Sequence, residues 1–219
     1  MENKLSVGML TLGMVGTNCY FVYKEDAECN TDGKRHVIFF DPADKGKKIY
    51  DTLTENGFVV DLILLTHAHF DHIGGAEELR NLTGAKIYCF EKEQAMCTDA
   101  YLNLSNDYGM HLKIIPDGFY KDGEIIEAAG MSCKLISTPG HTSGSCCYYF
   151  EEGNLLISGD TLFEESVGRT DFPTSSTSEL VRSINEKLFL LPDDTIVYPG
   201  HGDVTTIGHE KMYNPFVRF

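Results

Sequence analysis

The sequence predicts an α/β fold built from two sheets packed together with helices outside them. Three observations carry that expectation. Short apolar runs closed by Gly, Pro or Asp recur along the 219 residues, segments of helical spacing lie between them, and this β-then-helix order occurs twice.

Val7 to Leu12 and Cys19 to Tyr23 read as two strands joined by the turn-rich Val15-Gly16-Thr17-Asn18. The polar stretch Glu25 to Lys34, with Asn30, Asp32 and Gly33, reads as a hairpin loop. His36 to Phe40 is a compact apolar strand ended by Asp41-Pro42. Ile49, Tyr50 and Leu53 then give helical spacing within Lys47 to Asn56, before the stop at Gly57. Asp61 to Leu65 is nearly all aliphatic, as in a strand buried on both faces. Gly75 to Leu82 reads as a helix closed near Gly84, Lys86 to Phe90 as a strand, and Glu91 to Ser105 as helical with a connecting loop.

Beyond Tyr108, strands are expected at Ile125 to Ala128, Cys133 to Ser137, Cys146 to Phe150 and Leu155 to Ser158. Ser178 to Leu190 is an amphipathic helix with Leu180, Ile184, Leu188 and Leu191 near one stripe and Ser178 as its cap. Thr195 to Tyr198 is the last clear strand. No Pro-rich linker or low-complexity tract divides the chain, so a single domain over residues 1–219 is expected.

Composition narrows the function classes. Hydrophobic residues are 42% and charged residues 23%, enough to build a soluble core. A net charge of −15 argues against a basic footprint for phosphate backbones, so no nucleic-acid partner is expected. Bound divalent cations would offset part of that charge. The seven cysteines form an odd set with no Cys-x-x-Cys spacing, which speaks for buried small hydrophobes in a reducing compartment and against a disulfide scaffold. The apolar stretch Leu5 to Val15 is interrupted by Gly8, Thr11 and Gly13, so no signal peptide stands out. No run reaches membrane-spanning length. A cytoplasmic protein with no membrane partner is the expectation.

The chemistry concentrates in Thr66-His67-Ala68-His69-Phe70-Asp71-His72, three histidines and a carboxylate directly after a buried strand. In a chain of this His and Asp content, His-x-His-x-Asp-His arises by chance on the order of one time in a thousand. In an extended segment His67 and His69 project to one side and can reach one ion, while Asp71 and His72 follow after the chain bends. Gly74 and Gly75 suit that bend. His141 follows the strand ending at Ser137, Asp160 follows the strand Leu155 to Ser158, and His201 follows Thr195 to Tyr198. Strand ends converging on one rim would place His67, His69 and His141 on one ion and Asp71, His72 and His201 on another, with Asp160 bridging. Two divalent ions per chain are expected; imidazole with carboxylate suits zinc, and the same donors also suit iron or manganese. His36, His111 and His209 are read as histidines that cap turns or satisfy buried carbonyls.

On these residues the chain resembles the metallo-β-lactamase superfamily and, within it, the glyoxalase II-like hydrolases. The resemblance runs from Asn18-Cys19-Tyr20 and Asp41-Pro42 through THAHFDH at 66–72 and TPGHTSGS at 138–145. It continues through SGDTLF at 158–163 and GRTD at 168–171 to PGHG at 199–202. It implies a four-layered αββα sandwich with a metal pair at one edge of the sheets, and the same seven ligands. An aspartate at 160 is similar to the glyoxalase II-like branch, where zinc β-lactamases generally have a cysteine. Only 18 residues follow His201, so the helical C-terminal domain of full-length glyoxalase II is not expected. The run from 200 to 210 is similar to the smaller microbial members of the branch.

The implied activity is metal-dependent cleavage of a thioester or ester in a small-molecule acyl substrate, such as a hydroxyacyl thioester of glutathione. A metal pair lowers the pKa of bound water toward about 7 and polarises the acyl oxygen. Asp71, as a ligand, is also the candidate catalytic group for relaying a proton. Asp41 either orients an imidazole from behind or caps a strand, and Arg169 is read as bracing its loop through Asp171 in preference to binding a substrate carboxylate. Two alternatives stand beside this reading: a mononuclear iron persulfide dioxygenase-like enzyme on the same fold, and a non-catalytic metal-stabilised binding module.

Overall fold

The computed structural model describes residues 5–25 and 33–217. The first sheet consists of β1 (Leu5–Leu12), β2 (Thr17–Lys24), β3 (Arg35–Phe40), β4 (Phe58–Leu64), β5 (Lys86–Phe90) and β6 (Gly118–Tyr120), in that spatial order. Its first three strands are antiparallel and the rest run parallel to β3. The second sheet has the order β14-β13-β10-β9-β8-β7: β7 (Ile125–Ala128), β8 (Met131–Ser137), β9 (Cys146–Phe150), β10 (Leu155–Gly159), β13 (Ile196–Pro199) and β14 (Thr205–Thr206). A small hairpin, β11 (Leu162–Phe163) and β12 (Ser166–Val167), follows β10. The helices are α1 (Gly46–Glu55), α2 (Phe70–Ile73), α3 (Ala76–Thr83), α4 (Gln94–Thr98), α5 (Thr177–Glu186) and α6 (Ile207–Tyr213).

Strand alternation builds the layers. Tyr20, Val22, Ile38 and Phe40 point one way and meet Leu135, Tyr148, Phe150 and Ile157 of the second sheet, forming the central core. Their neighbours Cys19, Phe21, Val37 and Phe39 point the other way, onto Ile49 and Leu53 of α1 and Leu79 of α3. On the far side, Cys147, Leu156 and Val197 meet Leu180 and Ile184 of α5 and Ile207 of α6. The result is the expected αββα sandwich. Among the described residues, no helix is long and apolar enough to cross a membrane.

Several expectations shift. Most of the stretch Glu25 to Lys34, Cys29 included, lies outside the described residues. Asp61 is exposed and bonds His36, so two-sided burial in β4 holds only from Leu62 on. The helix expected over Glu91 to Ser105 is reduced to a 3-10 turn and the five residues of α4, because the Asp99 carboxylate accepts the backbone N–H groups of Tyr101 and Leu102 and redirects the chain. The cap of α5 is Ser176, whose hydroxyl accepts from the N–H of Glu179; Ser-x-x-Glu is a capping box, and Ser178 lacks the matching acid. That helix ends at Glu186 and continues only as a 3-10 turn over Leu188–Leu190. The two-residue strands, β6 and α6 were not legible in the sequence, being too short to show periodicity.

Phe40 is fully buried where the sheets meet, its ring 5.4 Å from that of Tyr148 and 6.0 Å from that of Phe150. Phe40→Ala is expected to lower unfolding free energy by about 3–5 kcal/mol in urea titrations. A loss below about 1 kcal/mol would contradict this account of the core.

Candidate metal centre

All the candidate residues leave the same edge of the sandwich, at the carboxyl ends of strands. Asp41 follows β3, residues 66–72 follow β4, His141 follows β8, Asp160 follows β10 and His201 follows β13. The first loop carries four of them because it turns sharply: His69 is extended, with φ −62° and ψ 151°, and the single turn of α2 begins at Phe70. Two cross-links hold the loops in register. The N–H of Cys146 donates to the Thr66 carbonyl at 2.9 Å, and Asn18 on β2 donates through Nδ2 to the carbonyls of Pro199 and Gly202 beside His201.

Three groups of candidate ligand atoms result, each with its atoms within 4.8 Å of one another: His67, His69 and His141; Asp71, His72 and His201; and His67, His72 and Asp160. Asp160 lies between the first two. Its Oδ1 is 3.4 Å from His72 Nε2, and its Oδ2 is 3.5 Å from His141 Nε2 and 3.6 Å from His201 Nε2. Asp71 Oδ2 is 3.2 Å from His201 Nε2. The close packing leaves no room for side chains nearby, since a Cβ on Gly200 would collide with the Asp160 carboxylate and crowd the His72 ring.

On His67, His72 and His141 the far ring nitrogen is engaged. His72 Nδ1 donates to Asp41 Oδ2 at 2.9 Å and His141 Nδ1 donates to the Arg169 carbonyl at 2.8 Å. Thr66 Oγ1 donates to Asp41 Oδ2 at 2.6 Å and so accepts from His67 Nδ1 at 3.1 Å. Asp41 also takes the Thr66 N–H, so it both orients an imidazole and closes the end of the strand. Four buried atoms have no hydrogen-bond partner: His67 Nε2, His69 Nε2, His72 Nε2 and Asp160 Oδ1. On His69 it is Nδ1 that faces the other ligands, 2.9 Å from His141 Nε2. Native interiors rarely leave such groups bare. A donor set of imidazoles and carboxylates with unpartnered buried atoms on His67, His72 and Asp160 fits divalent ions.

The electrostatics agree. Burial, reinforced by neighbouring histidines, holds His69 down to about 3 and His67 well below its ordinary range. Burial would also depress His72, but Asp71, Asp160 and Asp41 outweigh it, and this imidazole keeps its proton well above the usual range. Burial raises Asp160, yet the charge of His72 and hydrogen bonding to it bring the carboxyl down to about 2; Asp71 is lowered in the same way, with help from His201 and Thr17. The cluster thus calls for positive charge at its centre.

Above it opens a cavity of about 650 Å³ with Phe163, Phe172, Leu104 and Tyr108 on its walls. Arg169 pairs with Asp171 at 2.9 and 2.6 Å, the bracing arrangement expected from the sequence. Neither neighbouring tyrosine of β9 lines the cavity: Tyr148 donates to the Leu65 carbonyl and Tyr149 to Asn154. His36, His111 and His209 stand outside the three groups.

Sequence reasoning missed two supports. Thr17 donates to Asp71 Oδ2 at 2.8 Å. Glu93, fully enclosed, accepts the Ala68 N–H at 2.9 Å and the Thr142 hydroxyl at 3.0 Å, tying the loop of His67 and His69 to the loop of His141. Nothing local marks an acid in a helix-forming segment for this task; only the fold brings it there.

A family model described as the Metallo-beta-lactamase superfamily matches residues 12–201. The chain belongs to the metallo-β-lactamase superfamily. It is 36% identical to "Probable metallo-hydrolase YqgX" of Bacillus subtilis over 95% of both chains. To "Hydroxyacylglutathione hydrolase GloC" of Haemophilus influenzae it is 30% identical, over 89% of this chain and 93% of the relative. Among solved structures it resembles BLEG-1, titled a B3 metallo-beta-lactamase, with TM-score 0.89 and 33% identity over 97% of this chain and 99% of the other. It also resembles TTHA1623 in a di-iron-bound form, with TM-score 0.82 and 31% identity over 95% and 99%. The seven candidate ligands of this metallo-β-lactamase-fold chain all fall within the matched range.

Burial raises the Glu93 carboxyl to about 7, against the lowering effect of its three donors. A raised acid binds its proton more tightly folded than unfolded, so its contribution to stability is present at low pH and is lost as pH rises through about 7. In the metal-free protein, wild type is expected to lose on the order of 1–3 kcal/mol between pH 5 and 8 relative to Glu93→Gln, read from paired denaturant titrations. Parallel pH profiles would refute a buried, titrating Glu93.

Proposed function

We propose that this protein is a metal-dependent hydrolase that holds two zinc ions and cleaves a thioester or ester of a small acyl compound. The observation that carries the reading is the pair of His/Asp triads joined by Asp160, with buried unpartnered atoms on His67, His72 and Asp160, and with His69, Asp71, His141, Asp160 and His201 lining an open cavity. His67, His69 and His141 would hold one ion, Asp71, His72 and His201 the other, and Asp160 both. When bound, such a pair supplies a nucleophile at neutral pH and neutralises charge developing on an acyl oxygen. The chain's own groups do the rest. Asp41 and the Arg169 carbonyl fix the tautomers of His72 and His141, and Thr17 holds the Asp71 carboxylate in place. Asp71, ionised and at the cavity floor, is positioned to accept a proton at Oδ2 and pass it on. An open cavity also speaks against a purely structural metal site, which is normally closed by four ligands.

The relative named as a hydroxyacylglutathione hydrolase supports the thioester, and the di-iron form of TTHA1623 keeps iron in view as the metal. Elemental analysis of the natively purified protein is expected to find about two zinc per chain. Turnover of S-lactoylglutathione or of a simple aryl ester should fall by at least about a hundredfold in His69→Ala. One iron per chain, with oxygen uptake on a persulfide and no hydrolysis, would replace this reading with the dioxygenase. The likeness to BLEG-1 favours β-lactam cleavage as a second reading, tested on the same preparation with a chromogenic cephalosporin.

Asp41→Ala removes the acceptor behind His72 without touching the inner ring nitrogens. It is expected to weaken zinc affinity about 10- to 100-fold in chelator competition, with the fold retained by circular dichroism.

A further inference from the structure

The cavity walls differ in character from its floor. Phe172 sets its ring edge against His69 at 5.5 Å and against His141 at 6.0 Å, and Phe163 stands 6.1 Å from His201. One phenyl ring therefore flanks each triad. Tyr108 lies on Phe70 with ring centroids 4.3 Å apart, and Leu104 lines the same cavity. A carbonyl placed over the triads would have to lay its substituents between these rings.

Charge is sparse on the same walls. Among the described lining residues outside the candidate ligands, the charged ones are Asp107 and Arg169. The Arg169 fork is already satisfied: it donates from Nε and Nη2 to the two oxygens of Asp171, and its guanidinium lies 4.2 Å from the Phe172 ring. Both members of that pair are exposed. A substrate carboxylate reaching the rim could only displace Asp171, one exposed pair for another, which gains next to nothing. The other charged lining residue, Asp107, is an acid and offers such a carboxylate no partner. Each methylene buried between the rings, by contrast, gains about fourfold in affinity.

Resting on the acyl-hydrolase reading above, we infer that the cavity selects uncharged, apolar acyl compounds, lodged between Phe163 and Phe172, over those carried on an anionic thiol such as glutathione. Specificity then lies in the two phenylalanines and in the Arg169–Asp171 pair that cancels the cation at the rim.

The test is binding of thioethers, which cannot be cleaved, to the zinc-loaded protein by calorimetry. S-hexyl-N-acetylcysteamine, which is neutral, is expected to bind at least about tenfold more tightly than S-hexylglutathione, and at least about tenfold more tightly than its S-ethyl counterpart. Asp171→Asn, on the exposed rim, should free Arg169 and narrow the neutral-over-anionic ratio by about fivefold or more. Phe172→Ala should flatten the gain from ethyl to hexyl, and Phe163→Leu provides the same comparison should the first variant fold poorly. Equal or tighter binding of S-hexylglutathione by wild type, or no binding of either thioether, overturns the inference. Because no bond is broken, this result is independent of the turnover assays, where failure of the hydrolase reading would be seen instead.

Discussion

The edge of the sandwich is organised by the need to compensate a buried cluster of imidazoles and carboxylates. His67, His69, His72 and His141 are all nearly inaccessible, and Asp160 is buried among them. Charged or bare polar groups are costly in such surroundings unless each finds a partner. The outer atoms find theirs in the protein: Asp41, Thr66, Thr17 and the Arg169 carbonyl. The Nε2 atoms of His67 and His72 and Oδ1 of Asp160 find none, and His72 holds a proton in the grip of three carboxylates. A cation at the centre resolves both features at once.

That demand explains the strand ends. Asp41 leaves β3 with a positive φ of 49°, which turns its carboxylate toward Thr66 and His72. Gly200 and Gly168 leave space where any side chain would strike Asp160. Glu93 reaches in from beyond β5 to tie the loop of His67 and His69 to that of His141, beside the Cys146 to Thr66 backbone bond. On the other flank, Glu210 of α6 accepts from the Glu165 N–H, the Thr205 hydroxyl and Asn214, which secures the hairpin carrying Phe163. The aromatic walls and the floor are therefore braced by separate buried acids.

Buried sandwich layers give this arrangement its rigidity. The central core packs aromatic rings of one sheet on those of the other, and the outer faces are sealed by α1 and α3 on one side and α5 and α6 on the other. Sites mounted at the ends of such strands keep their geometry while the connecting loops vary. The loops over 104–108 and 161–172 contribute the walls here, so they govern what enters, while the strand ends govern what the centre holds.

Strand alternation and helical spacing are local patterns, so the sandwich was legible in one chain. The seven candidate ligands were legible too, because THAHFDH is dense in donors and His141, Asp160 and His201 each follow an apolar strand directly. Other features depend on contacts between distant segments. Glu93 and Thr17 look like any other acid and hydroxyl until β2, β5 and the loop after β8 are brought to one edge. The cap of α5, the short strands and the shortened helix after β5 depended on individual side-chain to backbone hydrogen bonds, which override periodicity. The cavity wall was likewise invisible, because Tyr108 precedes Phe163 and Phe172 by more than fifty residues and comes to line the same cavity only when the two sheets close on each other.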